Sequence, residues 1–568
     1  MRVLVALLLF LLFAAPAAAQ SYVAISFHDV VDDEREMGPD DITTRRLTAF
    51  FDWLAGNGWS AVSLDDIEAA RNGQKPLPPN AILLTFDDGY AAHYTRVYPL
   101  LRAYGFHAVF FVVGSWMEDR PDGTVRYGDK DVPRTRFLSW DQAREMAASG
   151  LAEFGSHSWD LHRGIRGNPQ GSSPPAAGTW AYDPKTGRYE TSDALQSRVL
   201  ADLQRSVELM RLRLGRSPRA LAWPFGRTSG PARAAARQVG FTYIMGLAGE
   251  PADTTRPLDI QRLFPTQNPT LNALTSSLRV DYPDPEQRRT ACVSMDAIVG
   301  NTDAESIATL GRTIENLRRL GPRTVVLDPF PDGKPGEPIR SAWFKSNFLP
   351  TKADFLGFAA WQIRSRAGVD VALRIDLHAA AASVGTEHVT QLVREIVRVA
   401  PIDAVILDPP GPFLAGSDEA VPFHAWRVRA ARDRIIATAG TGPDDRLVLE
   451  AWKAVEEERP NRRLGISASL PLPGKHPTPG TDVVLLKPGD KDLVTAVRGM
   501  AGRGRLDPDM SSMLVLPLPE GKAETQVKEM RRAQALGASA FGLCPAPALP
   551  TDPALNAAFS VSRFPRLP

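Results

Sequence analysis

Hydrophobic and polar positions alternate in blocks along the first half of the chain. Short apolar runs are typical of strands, and the stretches between them repeat apolar residues at helical spacing. The strand candidates are Val23–Phe27, Ala81–Phe86, Ala108–Val113, Ala152–Ser156 and Ala220–Pro224, and the clearest helices are Thr44–Gly56, Trp140–Ser149 and Asp193–Leu214. This alternation predicts a mainly parallel sheet or barrel with helices outside it.

The second half carries another strand–helix series. It begins after a polar, proline-containing stretch at Ser276–Arg289. The apolar runs are Ala291–Ala297, Thr324–Pro329, Val369–Leu377, Asp403–Asp408, Leu464–Leu470, Asp482–Lys487, Met513–Pro517 and Ala540–Pro545. These eight strands predict a TIM-like (β/α)8 barrel. We therefore expect an α/β protein with two domains, residues 20–280 and residues 290–568.

The first nineteen residues are unlike either domain. Met1 and Arg2 give a short positive start, Val3–Ala15 is an almost continuous apolar run, and Ala17–Ala19 offers the small residues of a cleavage site. The run is too short to cross a bilayer, so this segment predicts a signal peptide that ends before Gln20. We expect an exported protein, periplasmic or extracellular, that is soluble and has no transmembrane span in its mature form.

Charge and cysteine content limit the classes of protein to which the chain can belong. With 66 Lys and Arg against 65 Asp and Glu, the chain lacks the basic excess of a nucleic-acid binder. Cys292 and Cys544 fall on the first and last predicted strands of the second barrel, which are neighbours if the barrel closes. An oxidising compartment permits a disulfide there. We favour two facing but separate thiols.

One long segment, Arg163–Asp193, interrupts the strand–helix alternation. It is rich in Gly, Pro, Ser and Thr and carries Trp180, Tyr182 and Tyr189. A loop of this length in a compact domain is usually functional or mobile. Two interpretations stay open: a cover over an active site whose rings stack on sugar faces, or a flexible insertion.

Two adjacent carboxylates, Asp87 and Asp88, stand at the end of an apolar strand, just before Gly89. Ligands commonly bind at the carboxyl ends of strands in sheets and barrels of this class. Neighbouring residues leaving a strand point in different directions, so one acid can bind a metal while the other faces the water beside it. The alternative is an Asp pair that caps a turn.

Two histidines, His157 and His162, follow another strand five residues apart. Together with one Asp they supply three ligands and leave a coordination position open, which is typical of a catalytic metal site. Zinc is the favoured ion, although cobalt, nickel and iron accept the same ligand set. His28, again at a strand end, could protonate a leaving amine.

The remaining histidines of this half are weaker candidates. We expect His93 on a helix surface and His107 at the edge of the core.

Three motifs together resemble the polysaccharide deacetylase family (carbohydrate esterase family 4). They are Thr85–Tyr90, the His157–His162 segment and Trp223–Gly226. The motif matched by His28 comes first in this chain, whereas ordinary members carry it last, so the order is similar to a circularly permuted deacetylase barrel. With its C-terminal barrel, the chain resembles the periplasmic subfamily that deacetylates poly-β-1,6-N-acetyl-D-glucosamine in biofilm export systems.

The resemblance implies a role for each matching position. Asp88, His157 and His162 would bind the metal, Asp87 would be the general base, His28 the general acid, the amide of Tyr90 an oxyanion donor, and Trp223, Pro224 and Phe225 would lie at the substrate. It also implies an N-acetylglucosamine polysaccharide as substrate and outer-membrane export machinery as a partner.

Two departures limit the resemblance. Many members carry an arginine before the third motif that orients the base, and Trp223 stands there instead. Arg262 is a candidate substitute, although we favour a surface salt bridge for it.

The second departure lies in the barrel, where members can bind and sometimes cleave the deacetylated polymer. Asp408 is followed by Pro409 and Pro410 where paired acids are expected, while Asp328 and Asp376 end other strands. We favour a barrel that binds glycan without cutting it. The alternatives to a deacetylase are a catalytically weak export binding protein and a glycoside hydrolase acting through this barrel.

Overall fold

The computed structural model describes most of both halves of the chain. The described residues are 20–118, 123–249, 251–278, 288–331, 337–410, 443–469, 483–487, 495, 497–498, 513–518, 522–538, 540–544 and 552–560. The predicted signal peptide lies outside them. Among these residues, none of the helices has the length and apolar character needed to cross a bilayer.

The first half contains fifteen described strands, many of them short. They are β1 Ser21–Phe27, β2 Val30–Val31, β3 Ile42–Thr43, β4 Ser60–Ala61, β5 Ala81–Phe86, β6 Ala108–Val112, β7 Thr124–Tyr127, β8 Lys130–Pro133, β9 Ala152–Ser156, β10 Tyr182–Asp183, β11 Arg188–Tyr189, β12 Ala220–Ala222, β13 Tyr243–Gly246, β14 Ala252–Asp253 and β15 Ile260–Gln261.

Helices surround these strands. They are α1 Thr44–Gly56, α2 Leu64–Arg71, α3 Tyr98–Tyr104, α4 Gly114–Met117, α5 Trp140–Ala148, α6 Ser192–Leu214, α7 Gly230–Val239 and α8 Leu271–Ser277. Ser63 and Ser139 begin α2 and α5 with reciprocal capping boxes, and Thr191 caps α6.

The main sheet of this half is a nearly closed barrel. Its described strands run in the order β14-β1-β5-β6-β9-β12-β13-β15, with β4 also paired to β5. Just after β15, Leu263 pairs with Ile25 of β1, and the amide of Ser26 donates to the Leu263 carbonyl at 2.8 Å. Because β1, β5, β6, β9, β12 and β13 are parallel, their carboxyl ends lie at one rim of the barrel.

The second half forms a closed barrel of eight described strands in chain order. They are β16 Arg288–Val293, β17 Thr324–Leu327, β18 Asp370–Asp376, β19 Ala404–Asp408, β20 Arg463–Ser469, β21 Val483–Lys487, β22 Met513–Pro517 and β23 Ala540–Leu543. The described helices outside them are α9 Asp303–Leu320, α10 Leu356–Ala367, α11 Leu377–Val384, α12 Thr386–Val399, α13 Pro443–Glu458, α14 Ala523–Ala535 and α15 Pro553–Ser560. The predicted α/β fold, a deacetylase barrel followed by a (β/α)8 barrel, is confirmed.

Closure of the second barrel corrects the expectation for the cysteines. The first strand, β16, pairs with the last, β23, in parallel register. This pairing brings the Cα atoms of Cys292 and Cys544 to 5.0 Å, and the two residues form a disulfide. The expected separate thiols are wrong, because facing side chains on adjacent strands at this separation are within disulfide reach.

The long segment of residues 163–193 has a role that neither open interpretation described. Trp180 is 1% exposed and packs in the core of the first barrel. The hydroxyl of Tyr189 donates to the carboxylate of Asp354 at 3.0 Å, and Gln170 donates to the Asp354 carbonyl at 3.0 Å. The segment therefore joins the two barrels.

Candidate metal and catalytic site

Residues from several strand ends meet at the rim of the first barrel. His28 follows β1, Asp87 and Asp88 follow β5, and His157 follows β9. Backbone hydrogen bonds extend the strand pairing into the site. The amide N–H of Asp87 donates to the Phe27 carbonyl, and the amide N–H of His157 donates to the Val112 carbonyl, each at 2.9 Å. The barrel thus fixes the backbone position from which each of these side chains projects.

A left-handed turn separates the directions of the two acids. Asp88 has φ of 74° and Gly89 has φ of 73°, both in the region that disfavours most side chains. A Cβ at Gly89 would also lie 2.9 Å from Cγ1 of Val112, so only glycine fits there. The turn sends the Asp87 carboxylate towards Arg262 and the Asp88 carboxylate towards the histidines.

Asp88, His157 and His162 offer three ligand atoms within 4.8 Å of one another. Nε2 of His162 lies 3.2 Å and Nε2 of His157 lies 3.5 Å from Oδ1 of Asp88. Both carboxylate oxygens of Asp88 are buried without a well-formed hydrogen bond among the described residues. A buried carboxylate in this state needs a partner, and a divalent cation between these three groups supplies one.

The protonation of His157 also suits a metal ligand. Its Nδ1 lies 2.9 Å from the carbonyl oxygen of Ala222, and a carbonyl only accepts, so Nδ1 carries the proton. Burial lowers the pKa of this imidazole to about 4. At neutral pH, Nε2 is therefore an unprotonated nitrogen facing Asp88.

Arg262 is the buried partner of Asp87. Its guanidinium donates two parallel hydrogen bonds to the carboxylate, Nη1 to Oδ1 at 2.7 Å and Nη2 to Oδ2 at 2.8 Å. Burial raises the pKa of Asp87, but the charge and hydrogen bonds of Arg262, together with the nearby imidazoles of His157 and His28, outweigh burial and lower it to about 2. The expected surface salt bridge is wrong for Arg262, which is 0% exposed.

His28 and His93 form a connected pair beside the acids. His28 is half-buried against the ring of Phe264, with 4.9 Å between the ring centroids. Nε2 of His93 lies 3.0 Å from the carbonyl oxygen of His28. His93 is 0% exposed, so the expectation of a helix-surface histidine is wrong: it holds the backbone of His28. His107, half-buried next to β6, lies at the edge of the core.

The four other predicted site residues differ in burial: Tyr90, Trp223 and Pro224 are buried, and Phe225 is exposed. The backbone bridge from Tyr90 to Phe137 uses the amides of Ala91 and Leu138, so the Tyr90 amide is not used in it. Phe225 has φ of 58°, is 47% exposed, and its ring lies 4.3 Å from that of His162.

Trp223 and Pro224, by contrast, are buried. Trp223 is 1% exposed and packs in the apolar cluster that contains Trp180 and Leu221. Of the third motif, Phe225 therefore presents the exposed aromatic ring, and the substrate roles of this motif stay predictions.

The acids predicted in the second barrel surround an arginine. Asp376 and Asp408 end the neighbouring strands β18 and β19, and their Cα atoms are register partners. Arg374 donates to Oδ2 of Asp408 at 2.7 Å, while Asp376 accepts from the amide of Ala379 at the start of α11. The charge of Asp328 also acts on Arg374. The catalytic roles of these acids stay predictions.

Sequence reasoning missed the residues that hold the histidine loop. Asp202 on α6 accepts from two consecutive amides, Trp159 to Oδ1 and Asp160 to Oδ2, each at 2.8 Å. One turn later, the hydroxyl of Ser206 lies 2.7 Å from that of Ser156, which accepts from the amide of Ser158. No local motif marks Asp202, because its contacts lie more than forty residues earlier in the chain.

Replacing Asp202 with asparagine is expected to weaken metal binding by about tenfold to a hundredfold, the range typical of residues that support metal ligands. The amide group keeps one acceptor oxygen but turns an NH₂ towards a backbone N–H, which loosens the loop between His157 and His162. Titration calorimetry with Zn²⁺ measures the change. Asp193→Asn, at an exposed position on the same helix, serves as the control. Wild-type affinity in Asp202→Asn would contradict this role.

Comparison with known proteins identifies the family. Residues 74–244 match the family described as polysaccharide deacetylase. A solved de-N-acetylase from Aggregatibacter actinomycetemcomitans is 35% identical, covering 45% of this chain and 100% of that one, with a TM-score of 0.43. Residues 74–244 thus form a polysaccharide deacetylase domain. A solved deacetylase domain from Bordetella bronchiseptica is 37% identical, covering 43% of this chain and 95% of that domain, with a TM-score of 0.38.

The likeness extends beyond the deacetylase domain. The poly-β-1,6-N-acetyl-D-glucosamine N-deacetylase of Escherichia coli K12 is 33% identical over 361 residues, which is 64% of this chain. This chain spans 54% of the length of that relative. Residues 292–396, in the second barrel, match the hypothetical glycosyl hydrolase family 13.

Proposed function

We propose that the chain is a metal-dependent hydrolase that removes acetyl groups from N-acetylglucosamine units of an extracellular polysaccharide, poly-β-1,6-N-acetylglucosamine. The observation that carries this proposal is the convergence of Asp88, His157 and His162 beside the Asp87–Arg262 ion pair. Zinc is the ion we assign to the three ligands, since two imidazoles and a carboxylate form a typical zinc set. The E. coli relative carries the corresponding activity in its name.

Each residue of the site has a separate role in amide hydrolysis. A bound divalent ion polarises the acetamide carbonyl and lowers the pKa of water. Arg262 keeps Asp87 ionised, so its carboxylate can accept the proton of the attacking water. The amide of Tyr90 donates to the oxyanion. His28 delivers a proton to the nitrogen as the C–N bond breaks, which releases acetate and leaves a free amine on the sugar.

Export belongs to the same proposal. The apolar segment before Gln20 and the disulfide between Cys292 and Cys544 both suit a protein that reaches an oxidising compartment. We infer a periplasmic or extracellular enzyme that works on the polymer during its export and meets outer-membrane export machinery. The domain boundaries, residues 20–280 and 290–568, are part of this proposal.

Removal of the metal is the first test. Acetate release is measured from β-1,6-linked N-acetylglucosamine oligomers and from chito-oligosaccharides, before and after treatment with a chelator. We expect chelation to abolish release and Zn²⁺ to restore it, with Co²⁺, Ni²⁺ and Fe²⁺ as comparison ions. Full turnover in protein shown to be metal-free would exclude the mechanism, and restored metal binding without acetate release would favour a binding protein of the export pathway.

For the second barrel we propose glycan binding without cleavage. A glycosidase needs one carboxyl that keeps its proton as general acid. Here Arg374 donates to Asp408 and the amide of Ala379 donates to Asp376, so these contacts use both carboxyls as hydrogen-bond acceptors. Chain length of the polymer, measured after incubation with the protein, tests this. Shortening that disappears in Asp408→Asn would show a glycoside hydrolase instead.

A further inference from the structure

A small cleft lies between the two barrels. The first barrel contributes Arg227 and the loop residues Pro174 and Pro175, and the second contributes Trp361 and Arg364 from α10, among others. None of the residues assigned above to metal binding or catalysis lines it. What distinguishes this interdomain cleft is its charge, because Arg459 and Arg462 also line it.

One carboxylate serves two of the four arginines. Nη2 of Arg227 donates to Oδ1 of Asp403 at 2.8 Å, and Nε of Arg364 donates to Oδ2 at 3.1 Å. Asp403 also accepts from the amide of Val371. Its negative charge is therefore shared between a guanidinium from each barrel.

The other two guanidiniums have no carboxylate within ion-pair distance among the described residues. Arg459, 5% exposed, donates to the carbonyl oxygens of Val397, Gly178 and Arg398. Carbonyls satisfy its N–H groups, and the nearby carboxylates of Glu458 and Asp403 act on its charge without forming an ion pair with it. Burial, reinforced by repulsion from Arg462, lowers the pKa of Arg459 to about 9, so it remains charged at neutral pH.

Arg462 is the second arginine of the cleft without an ion pair among the described residues, and it also has a buried donor that lacks an acceptor. Its Nε is buried and has no hydrogen-bond partner in the part of the chain that the structure describes. Burial lowers the pKa of this guanidinium. The charge of Asp403 opposes this effect, as do those of Glu456 and Asp370, while the charge of Arg364 adds to it. A buried donor without an acceptor costs about 1–3 kcal/mol, and more when it is charged. The cleft therefore holds both an excess of positive charge and a donor that lacks an acceptor.

We propose that the interdomain cleft binds a small oxyanion of the phosphate or carboxylate class. Guanidinium groups match the oxygens of both anions with paired, charge-assisted hydrogen bonds. An oxyanion would give Nε of Arg462 an acceptor and would compensate the charge that Asp403 leaves unbalanced. It would also contact guanidiniums of both barrels and so stabilise their docking. This site does not depend on the proposed deacetylation.

The test is anion titration of the full chain at constant ionic strength. Inorganic phosphate, acetate and chloride are titrated by calorimetry, and thermal unfolding is followed in parallel. We expect one equivalent of phosphate or acetate to bind at least tenfold more tightly than chloride and to raise Tm. Tighter phosphate binding identifies a phosphate-class ligand, and tighter acetate binding identifies a carboxylate. Equal binding of all three anions would overturn the proposal.

Variants make the assignment specific. Arg462→Gln is expected to bind the preferred anion at least tenfold more weakly, whereas Arg366→Gln, at an exposed position on α10, should bind like the wild type. Wild-type affinity in Arg462→Gln, or an equal loss in Arg366→Gln, would show that the cleft is not the site. If Arg462→Gln does not fold, Arg462→Lys keeps the charge while removing the Nε donor and should show the same loss.

Discussion

Replacing Asp88 with asparagine is expected to abolish both metal binding and acetate release while leaving the metal-free fold at wild-type stability. Among the described residues, the carboxylate oxygens of Asp88 accept no well-formed hydrogen bond, so exchanging one of them for an amide nitrogen breaks none. Asparagine also tolerates the left-handed backbone at φ of 74°. What the variant loses is the anionic ligand that His157 and His162 cannot replace.

Three measurements check this prediction. Metal content is determined after loading with Zn²⁺, acetate release is followed by a coupled assay, and denaturant unfolding is compared with and without metal. The wild type should gain stability from the metal, because the ion binds only the folded chain, and Asp88→Asn should gain none. Asp193→Asn, exposed on α6, provides a control with the same chemical change. Wild-type turnover in the chelator-washed Asp88 variant would show that the assigned metal site is wrong.

Replacing Arg262 with methionine should damage both stability and catalysis. Breaking a buried ion pair leaves one charge without its partner and typically costs about 3–5 kcal/mol. Asp87 would keep its burial but lose the guanidinium, so its pKa would rise from about 2. Because a positioned general base typically contributes about 10²–10⁴-fold, we expect acetate release to fall at least a hundredfold at neutral pH.

The pH dependence of stability gives a second readout for this pair. A carboxyl whose pKa is depressed in the folded state adds stability above its unfolded pKa of about 4, and this contribution disappears as the pH falls through about 2. The difference in unfolding free energy between wild type and Arg262→Met should therefore shrink as the pH falls below about 4.

A double variant separates charge from packing. Asp87→Asn combined with Arg262→Met should recover part of the lost stability while staying inactive, because no unpaired charge remains. Arg237→Met, exposed on α7, is the control. If the Arg262 variant retained wild-type activity and stability, the buried pair would have no part in either.

The sequence predicted strands well where burial determines the pattern of apolar residues. Ala81–Phe86 was predicted with its observed bounds because it forms a short apolar run with clear ends, and the bounds of Ala152–Ser156 were also predicted correctly. Strand-end position also grouped Asp88 with His157 and His162, whose ligand atoms the structure brings within 4.8 Å of one another. Short strands such as β15 were missed, since two residues carry no periodicity.

Contacts between distant residues could not be predicted where no motif at a strand end marks both partners. Arg262 meets Asp87 across 175 residues, and nothing near it in the sequence distinguishes a buried arginine from an exposed one. The same holds for Asp202, which supports the histidine loop from a helix. Tyr189 meets Asp354 across the two barrels, a contact that needs the relative placement of both. In each case packing, rather than local pattern, selects the partner.

Cys292 and Cys544 are 252 residues apart in sequence, and the disulfide between them closes nearly the whole second barrel into one covalent ring. A protease that cuts anywhere inside that ring would leave both fragments attached to each other, so they would separate on a gel only after a reductant is added. Nicked protein could therefore persist outside the cell as a single particle. A chain trapped in the reducing cytoplasm would lack this protection.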